Sequence, residues 1–349
     1  MAPLEFETYT LDPRPHYPFL ITAKRYWNPS HYHDDDDALT VILAHATGYH
    51  KEHWEPTIED FYDVLAEAGS NNPVKIREFW AIDAPNHGDA AVLNEELLTW
   101  GHTPIFDWQE YARSIHAVLT NLGTGINVDF RSRKLVGVGH SMGAVSIILA
   151  GTFMPEIKFL SVILVEPMIY KTGGPIVNFI ELSARRRDIW PGYQEAYNQF
   201  SSRAAYQAWD SRVLDAYVKH GLRDLPSAEY PDKQGVTLKC TKAQELACYR
   251  DTVGKARVWT YMDHLCSTIP VHFIFGAIND SVSKKTQEDL LRNSAKGLQA
   301  SVARVPGAGH LIVQTSPRAL AEAIYVDLGS DIASDFVPGP ARTGVQSRL

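Results

Sequence analysis

Cysteine is scarce in this chain, with three (Cys240, Cys248, Cys266) in 349 residues. That is too few for the disulfide framework of a small secreted domain, and their spacing matches no zinc pattern. They read as buried free thiols of a reducing compartment. Long apolar runs are missing too. No uninterrupted stretch approaches the ~20 residues a membrane helix requires. The opening Met-Ala-Pro-Leu-Glu-Phe lacks the basic and apolar regions of a secretory signal. A soluble, intracellular protein with no membrane span is the expectation. Excess positive charge is also absent. The 33 Lys and Arg stand against 41 Asp and Glu, a net charge of −8, which argues against nucleic acid as a partner because phosphate binding needs clustered cations. The one basic cluster, Arg185-Arg186-Arg187, reads as a solvated helix face or as a phosphate contact. His31-Tyr32-His33 followed by Asp34 to Asp37 reads as a solvated hairpin loop rather than a metal tract.

With 45% hydrophobic and 11% aromatic residues, a packed core is expected, and the length suits one large domain carrying an insertion, or at most two domains. Apolar, β-branched runs at Thr40–Leu43, Lys134–Val138, Leu160–Val165 and Val271–Phe275 alternate with helical patterns at Trp54–Ala68, Trp108–Leu122, Gly143–Gly151, Thr286–Ser294 and Pro317–Leu328. That rhythm predicts an α/β fold, a mostly parallel central sheet with helices on both faces. Phe6–Leu11 and Phe19–Tyr26 alternate in polarity, as antiparallel edge strands do. From about Ile169 to Asp263 the strand rhythm stops, and so long a stretch reads as an inserted helical cap. The expected division is a core of residues 1–168 and 264–336, a cap of 169–263, and a weakly structured tail of 337–349. There is no internal repeat.

The strongest chemical signal is Gly139-His140-Ser141-Met142-Gly143, between a predicted strand and a predicted helix. In that context the serine sits on a sharp turn, its hydroxyl above the sheet and the Met142 N–H toward a developing oxyanion. A serine hydroxyl needs a base beside it. His310, in the glycine-rich turn Val305-Pro306-Gly307-Ala308-Gly309-His310, is the best candidate; His140 reads as packing, and His264 and His272 as core or surface residues in or near a strand. Two residues compete for the acid that orients the histidine. Glu166 ends the strand Val162–Val165 and is favoured; Asp280, in Gly276-Ala277-Ile278-Asn279-Asp280, is the alternative. The second oxyanion donor is expected in His45-Ala46-Thr47-Gly48-Tyr49, at the Thr47 N–H. Asp83-Ala84-Pro85-Asn86-His87-Gly88 reads as a structural turn.

Together these motifs resemble the α/β-hydrolase superfamily over about 300 residues. The cap phrases Trp209–Leu214 and Tyr217–Arg223, with the terminal Ser347-Arg348-Leu349, resemble a fungal peroxisomal subgroup. That subgroup includes toxin-biosynthesis hydrolases, a yeast peroxisomal lipase and the acyl-CoA hydrolase of mycophenolic acid formation. The resemblance supports Glu166 as the acid. It implies hydrolysis of a lipophilic ester or acyl-CoA thioester through an acyl-enzyme, without metal or organic cofactor, in the peroxisome and within secondary-metabolite (toxin) biosynthesis. Ser347, Arg348 and Leu349 would be read by the peroxisomal import receptor. Caps of this kind can mediate a homodimer. Two other readings stand beside it: an acyltransferase or lyase on the same scaffold, and a catalytically silent binding module. The aromatics Tyr193, Tyr197, Phe200, Tyr206 and Trp209 suggest either an apolar cavity or a packed cap core.

Overall fold

The computed structural model describes residues 3–69, 72–171 and 176–333; Ser347, Arg348 and Leu349 lie outside them. Eleven strands are present among the described residues: β1 (Glu5–Leu11), β2 (Ile21–Trp27), β3 (Leu39–Ala44), β4 (Ile76–Ile82), β5 (Lys134–His140), β6 (Phe159–Val165), β7 (Ile189–Trp190), β8 (Leu222–Asp224), β9 (Val236–Leu238), β10 (Val271–Gly276) and β11 (Ser301–Val305). Eight form one sheet in the order β1-β2-β4-β3-β5-β6-β10-β11. β1 and β2 are antiparallel, as is β2 to β4, and the rest of the sheet is parallel.

The sequence of β3, Leu-Thr-Val-Ile-Leu-Ala, is buried from end to end, as a central strand covered on both faces must be. Strand alternation sends Leu39, Val41 and Leu43 into one layer and Ile42 and Ala44 into the other. The first layer is closed by the helices Glu55–Ala68 and Pro317–Ala333, through Ile58, Phe61, Leu320 and Ile324. Trp108–Leu119, Met142–Ala150 and Val253–Thr268 close the second.

β4 escapes an apolar-run search because Arg77 and Glu78 interrupt it. Both are buried, and Glu78 accepts from Arg25 Nε of β2 at 2.5 Å. The His31–Asp37 stretch joins β2 to β3, but β4 lies between those strands. It is therefore a crossover loop, not the expected hairpin.

Between β6 and β10 the chain builds the cap. It carries the helices Ile176–Arg185, Tyr193–Ser201, Ala204–Gln207, Ser211–Gly221 and Lys242–Tyr249, and also a small antiparallel sheet, β7-β9-β8. Its strands of two or three residues are too short to leave a periodic signature. The helix Val253–Thr268 runs across position 263, where the cap was expected to end. Its Val258, Met262, Leu265 and Cys266 join the core under the sheet, so this helix is part of the covering layer. His264 lies on it, exposed, rather than in a strand.

Candidate active site

Ser141, Glu166, Asp280 and His310 each follow the carboxyl end of a parallel strand, β5, β6, β10 and β11 respectively. That edge is where open α/β sheets present ligand-binding residues. Ser141 is the first residue after β5 and adopts φ 56°, ψ −111°, a left-handed backbone that non-glycine residues rarely accept. The turn closes because its flanks are bare: a Cβ on Gly139 would sit 2.5 Å from the backbone of Ala144, and one on Gly143 2.2 Å from the Ala44 carbonyl oxygen. The Ser141 N–H donates to Val165 O at 3.0 Å, tying the turn to β6.

Ser141 Oγ lies 3.1 Å from His310 Nε2, and His310 Nδ1 lies 3.2 Å from Glu166 Oε2. The other oxygen of Glu166 accepts the Gly276 N–H at 2.7 Å. Glu166 also holds a positive φ, 45°, while its N–H bonds to Ile274 O at 2.9 Å. All three side chains are buried, Glu166 to 1% exposure and the other two to 6%. Asp280 approaches the same histidine differently. Its Oδ1 accepts the His310 backbone N–H at 2.9 Å, so it holds the loop and does not touch the ring.

His140, expected only to pack, contacts His310 as well. Its Nε2–H donates to the His310 carbonyl at 2.8 Å, and burial next to that second ring pushes His140 down to about 3, leaving it neutral. Backbone N–H and C=O of His310 are therefore both pinned. Nothing in the spacing of Asp280 or His140 announces this role, since their partner lies 30 and 170 positions away.

Met142 opens the helix Met142–Ala150, so its N–H has no acceptor within that helix. Across the cleft, the Thr47 hydroxyl donates to Met142 Sδ at 3.4 Å, bringing the 45–49 loop against the elbow. The Asp83–Gly88 turn shapes that loop. His87 Nε2 accepts the Gly48 N–H at 2.8 Å, and His45 Nε2 accepts the Ala84 N–H at 3.0 Å. Burial lowers both imidazoles, His45 to about 4 despite nearby Asp83, so each stays neutral and keeps its acceptor nitrogen. Asp83 itself accepts from Lys51 N at 2.9 Å and Lys51 Nζ at 2.7 Å. Burial alone would discharge that ammonium; Asp83, Glu52 and Asp89 outweigh it and hold Lys51 charged.

The relay opens onto a cavity of about 450 Å³ between sheet edge and cap. Of the cap aromatics, Tyr206 lines it, whereas Phe200 and Trp209 are packed inside the cap with Trp190 and Tyr217. Tyr193 faces a separate surface groove. The Arg185–Arg187 cluster is not a uniformly solvated face. Arg185 lines the cavity and is exposed, Arg187 is tied to Ile189 O and Gln199, and Arg186 turns inward to pair with buried Glu245. Glu245 also accepts from Ser183 Oγ at 2.9 Å and Tyr249 Oη at 3.2 Å. No cluster of His, Cys, Asp and Glu suited to a metal ion occurs among the described residues, and no helix there is long and apolar enough to cross a membrane.

Residues 41–323 match the model of the alpha/beta hydrolase family. A stretch of 208 residues, 58% of this chain, is 31% identical to the type I acyl-CoA thioesterase mpaH of Penicillium brevicompactum, covering 44% of that protein. A stretch of 120 residues, 34% of this chain, is 33% identical to the abhydrolase domain-containing protein AKT2 of Alternaria alternata, again covering 44% of it. The matched stretches thus span less than half the length of these curated relatives. Among solved structures, the peroxisomal alpha-beta-hydrolase Lpx1 of Saccharomyces cerevisiae aligns with a TM-score of 0.69 at 19% identity, over 99% of this chain and 93% of that one. At that identity the likeness is one of fold.

Proposed function

The chain belongs to the alpha/beta hydrolase family, and on that premise we propose that it is a serine hydrolase cleaving an acyl-CoA thioester or a lipophilic ester through an acyl-enzyme. The observation that carries the reading is an unbroken relay from Ser141 through His310 to Glu166, at 3.1 and 3.2 Å, opening onto a cavity. Ser141 Oγ attacks the acyl carbonyl while His310 Nε2 takes its proton, and Glu166 holds the imidazole in the tautomer that leaves Nε2 free to accept. The N–H groups of Thr47 and Met142 stabilise the oxyanion. His310 returns the proton to the departing sulfur or oxygen, and water then releases the acyl group by the same route.

The thioester form of the substrate is supported by the relatives described as acyl-CoA thioesterases. Arg185 and Arg203 at the cavity mouth suit the phosphates of such a leaving group. A peroxisomal site of action is supported by the Ser347-Arg348-Leu349 pattern and by the likeness to a peroxisomal hydrolase. A role in secondary-metabolite (toxin) formation follows from the resemblance of the cap phrases Trp209–Leu214 and Tyr217–Arg223 to the fungal peroxisomal subgroup. Thiol release from a panel of acyl-CoAs, with wild type beside Ser141→Ala, tests the activity. A loss of about 10³-fold or more in the variant is expected. Absence of turnover with every thioester would overturn the thioesterase reading.

A further inference from the structure

The cavity beside Ser141 is lined by both exposed and buried cationic side chains. Arg185 and Arg203 of its lining stand exposed, whereas Trp108 and Lys255 of the same lining are 2% and 3% exposed. Met168, Phe179 and Leu182 contribute apolar wall. A buried ammonium in such a place is costly unless an acceptor meets it.

Lys255 sits in the first turn of the helix Val253–Thr268 with Nζ 4.4 Å from the centre of the Trp108 ring. Among the described residues it makes no hydrogen bond or ion pair. Asp251, whose field it feels, has its carboxylate on the N–H groups of Val253 at 3.1 Å and Gly254 at 3.3 Å. Burial brings Lys255 down to about 8 and lifts Asp251 to about 6, as expected of two charges that do not close into a pair. Of the carboxylates that line the cavity, Glu245 is already taken by Arg186 and Asp280 by the His310 N–H. The Lys255 ammonium therefore lines an acyl-sized cavity with a ring face as its partner.

We infer that Lys255 receives a carboxylate at the far end of the substrate's acyl chain, so that the enzyme selects ω-carboxyacyl substrates over plain fatty acyl ones of equal length. This rests on Ser141 being the acyl acceptor. A methyl terminus there would leave the ammonium desolvated and unpaired, whereas a carboxylate supplies both acceptor and countercharge.

The test compares adipoyl-CoA with hexanoyl-CoA and suberoyl-CoA with octanoyl-CoA, on wild type and Lys255→Met. Wild type is expected to favour the carboxylated member in kcat/KM by about ten- to hundredfold, the range a charged hydrogen bond commands. Lys255→Met should abolish that preference by lowering kcat/KM on the carboxylated members. Equal rates on both members in wild type, or an equal fall on both in the variant, would overturn the inference. The same pairs as nitrophenyl esters separate it from the thioesterase reading: preference there without any thioester turnover keeps Lys255 in its role and removes the thioester. If Lys255→Met does not fold, protection of wild-type Ser141 from an organofluorophosphonate gives the answer. Free adipate protecting better than hexanoate supports the inference, and equal protection overturns it.

Discussion

Replacing Glu166 by Gln, with Asp280→Asn as its counterpart, separates the two carboxylates that face His310. Glu166 serves two donors at once, the Gly276 N–H at 2.7 Å and the imidazole Nδ1 at 3.2 Å. An amide has one oxygen and can serve only one of them. If it stays on Gly276, its NH₂ faces Nδ1, and the imidazole must carry its proton on Nε2, toward Ser141, where it cannot accept. That wrong tautomer costs about 10⁴-fold in kcat in the chymotrypsin-type triad. If the amide flips, two donors meet at Gly276 in a site 1% exposed. An unsatisfied buried donor costs about 1–3 kcal/mol, roughly ten- to hundredfold, and the imidazolium still loses its countercharge. We expect Glu166→Gln to lose about 10³- to 10⁴-fold. Asp280→Asn keeps an oxygen for the His310 N–H, so its loss should stay within about tenfold. The rate of covalent labelling of Ser141 by an organofluorophosphonate reports both without a known substrate. A Glu166→Gln enzyme labelled within tenfold of wild type, beside a crippled Asp280→Asn, would refute the assignment and make Asp280 the orienting acid.

Three further outcomes follow from the packing. Burial works against a charged His272, but hydrogen bonds to Asp327 and Asp331 overcome it and raise this group from 6.5 to about 9. Its stabilisation, up to about 3 kcal/mol, is complete below pH 6.5 and fades as pH rises through 9. Urea unfolding should therefore find His272→Asn much less stable than wild type at pH 6 and nearly equal at pH 10, and a pH-independent gap would contradict this. Gly143→Ala forces a Cβ to 2.2 Å from the Ala44 carbonyl oxygen; labelling of Ser141 should fall at least about a hundredfold because the elbow must shift. Arg186→Met strands the Glu245 carboxylate in the cavity wall, and a loss of about 3–5 kcal/mol in unfolding free energy is expected.

Much of this site is legible in the linear chain because its parts sit at strand ends. Apolar β-branched runs mark β3, β5, β6 and β10, and glycines two residues either side of Ser141 mark the turn. The acid was ambiguous for a reason the structure makes clear. Glu166 and Asp280 both follow parallel strands and both bond to His310, one to its ring and the other to its backbone. Sequence position registers the strand end but not which atom the side chain meets. β4 is obscured by Arg77 and Glu78, whose burial depends on Asp34 and Asp35 carbonyls and on Arg25 from elsewhere. Lys255 and Glu245 are invisible for the same reason, and Arg186 shows in the sequence only as part of a basic run. Their significance lies in a shared cavity wall, and the 59 positions between Arg186 and Glu245 leave no periodic trace.

The loop that carries Thr47 and the cap are one packing unit. Tyr49 meets Trp209 at a tilt and Tyr217 edge-on, His53 meets the same two rings, and Arg212 of the cap grips Asp60 at 2.8 Å. For anyone re-engineering substrate range, this makes wholesale cap exchange self-defeating. A foreign cap would arrive without the partners that hold the oxyanion loop in shape, so chemistry would be lost along with selectivity. The helix Ile176–Arg185 supplies Phe179, Leu182, Ser183 and Arg185 to the cavity, and none of its described side chains joins that aromatic cluster. Its exposed Leu182 and Arg185 are the wall that can be changed, whereas Ser183 holds Glu245 and Phe179 lies against the His310 ring.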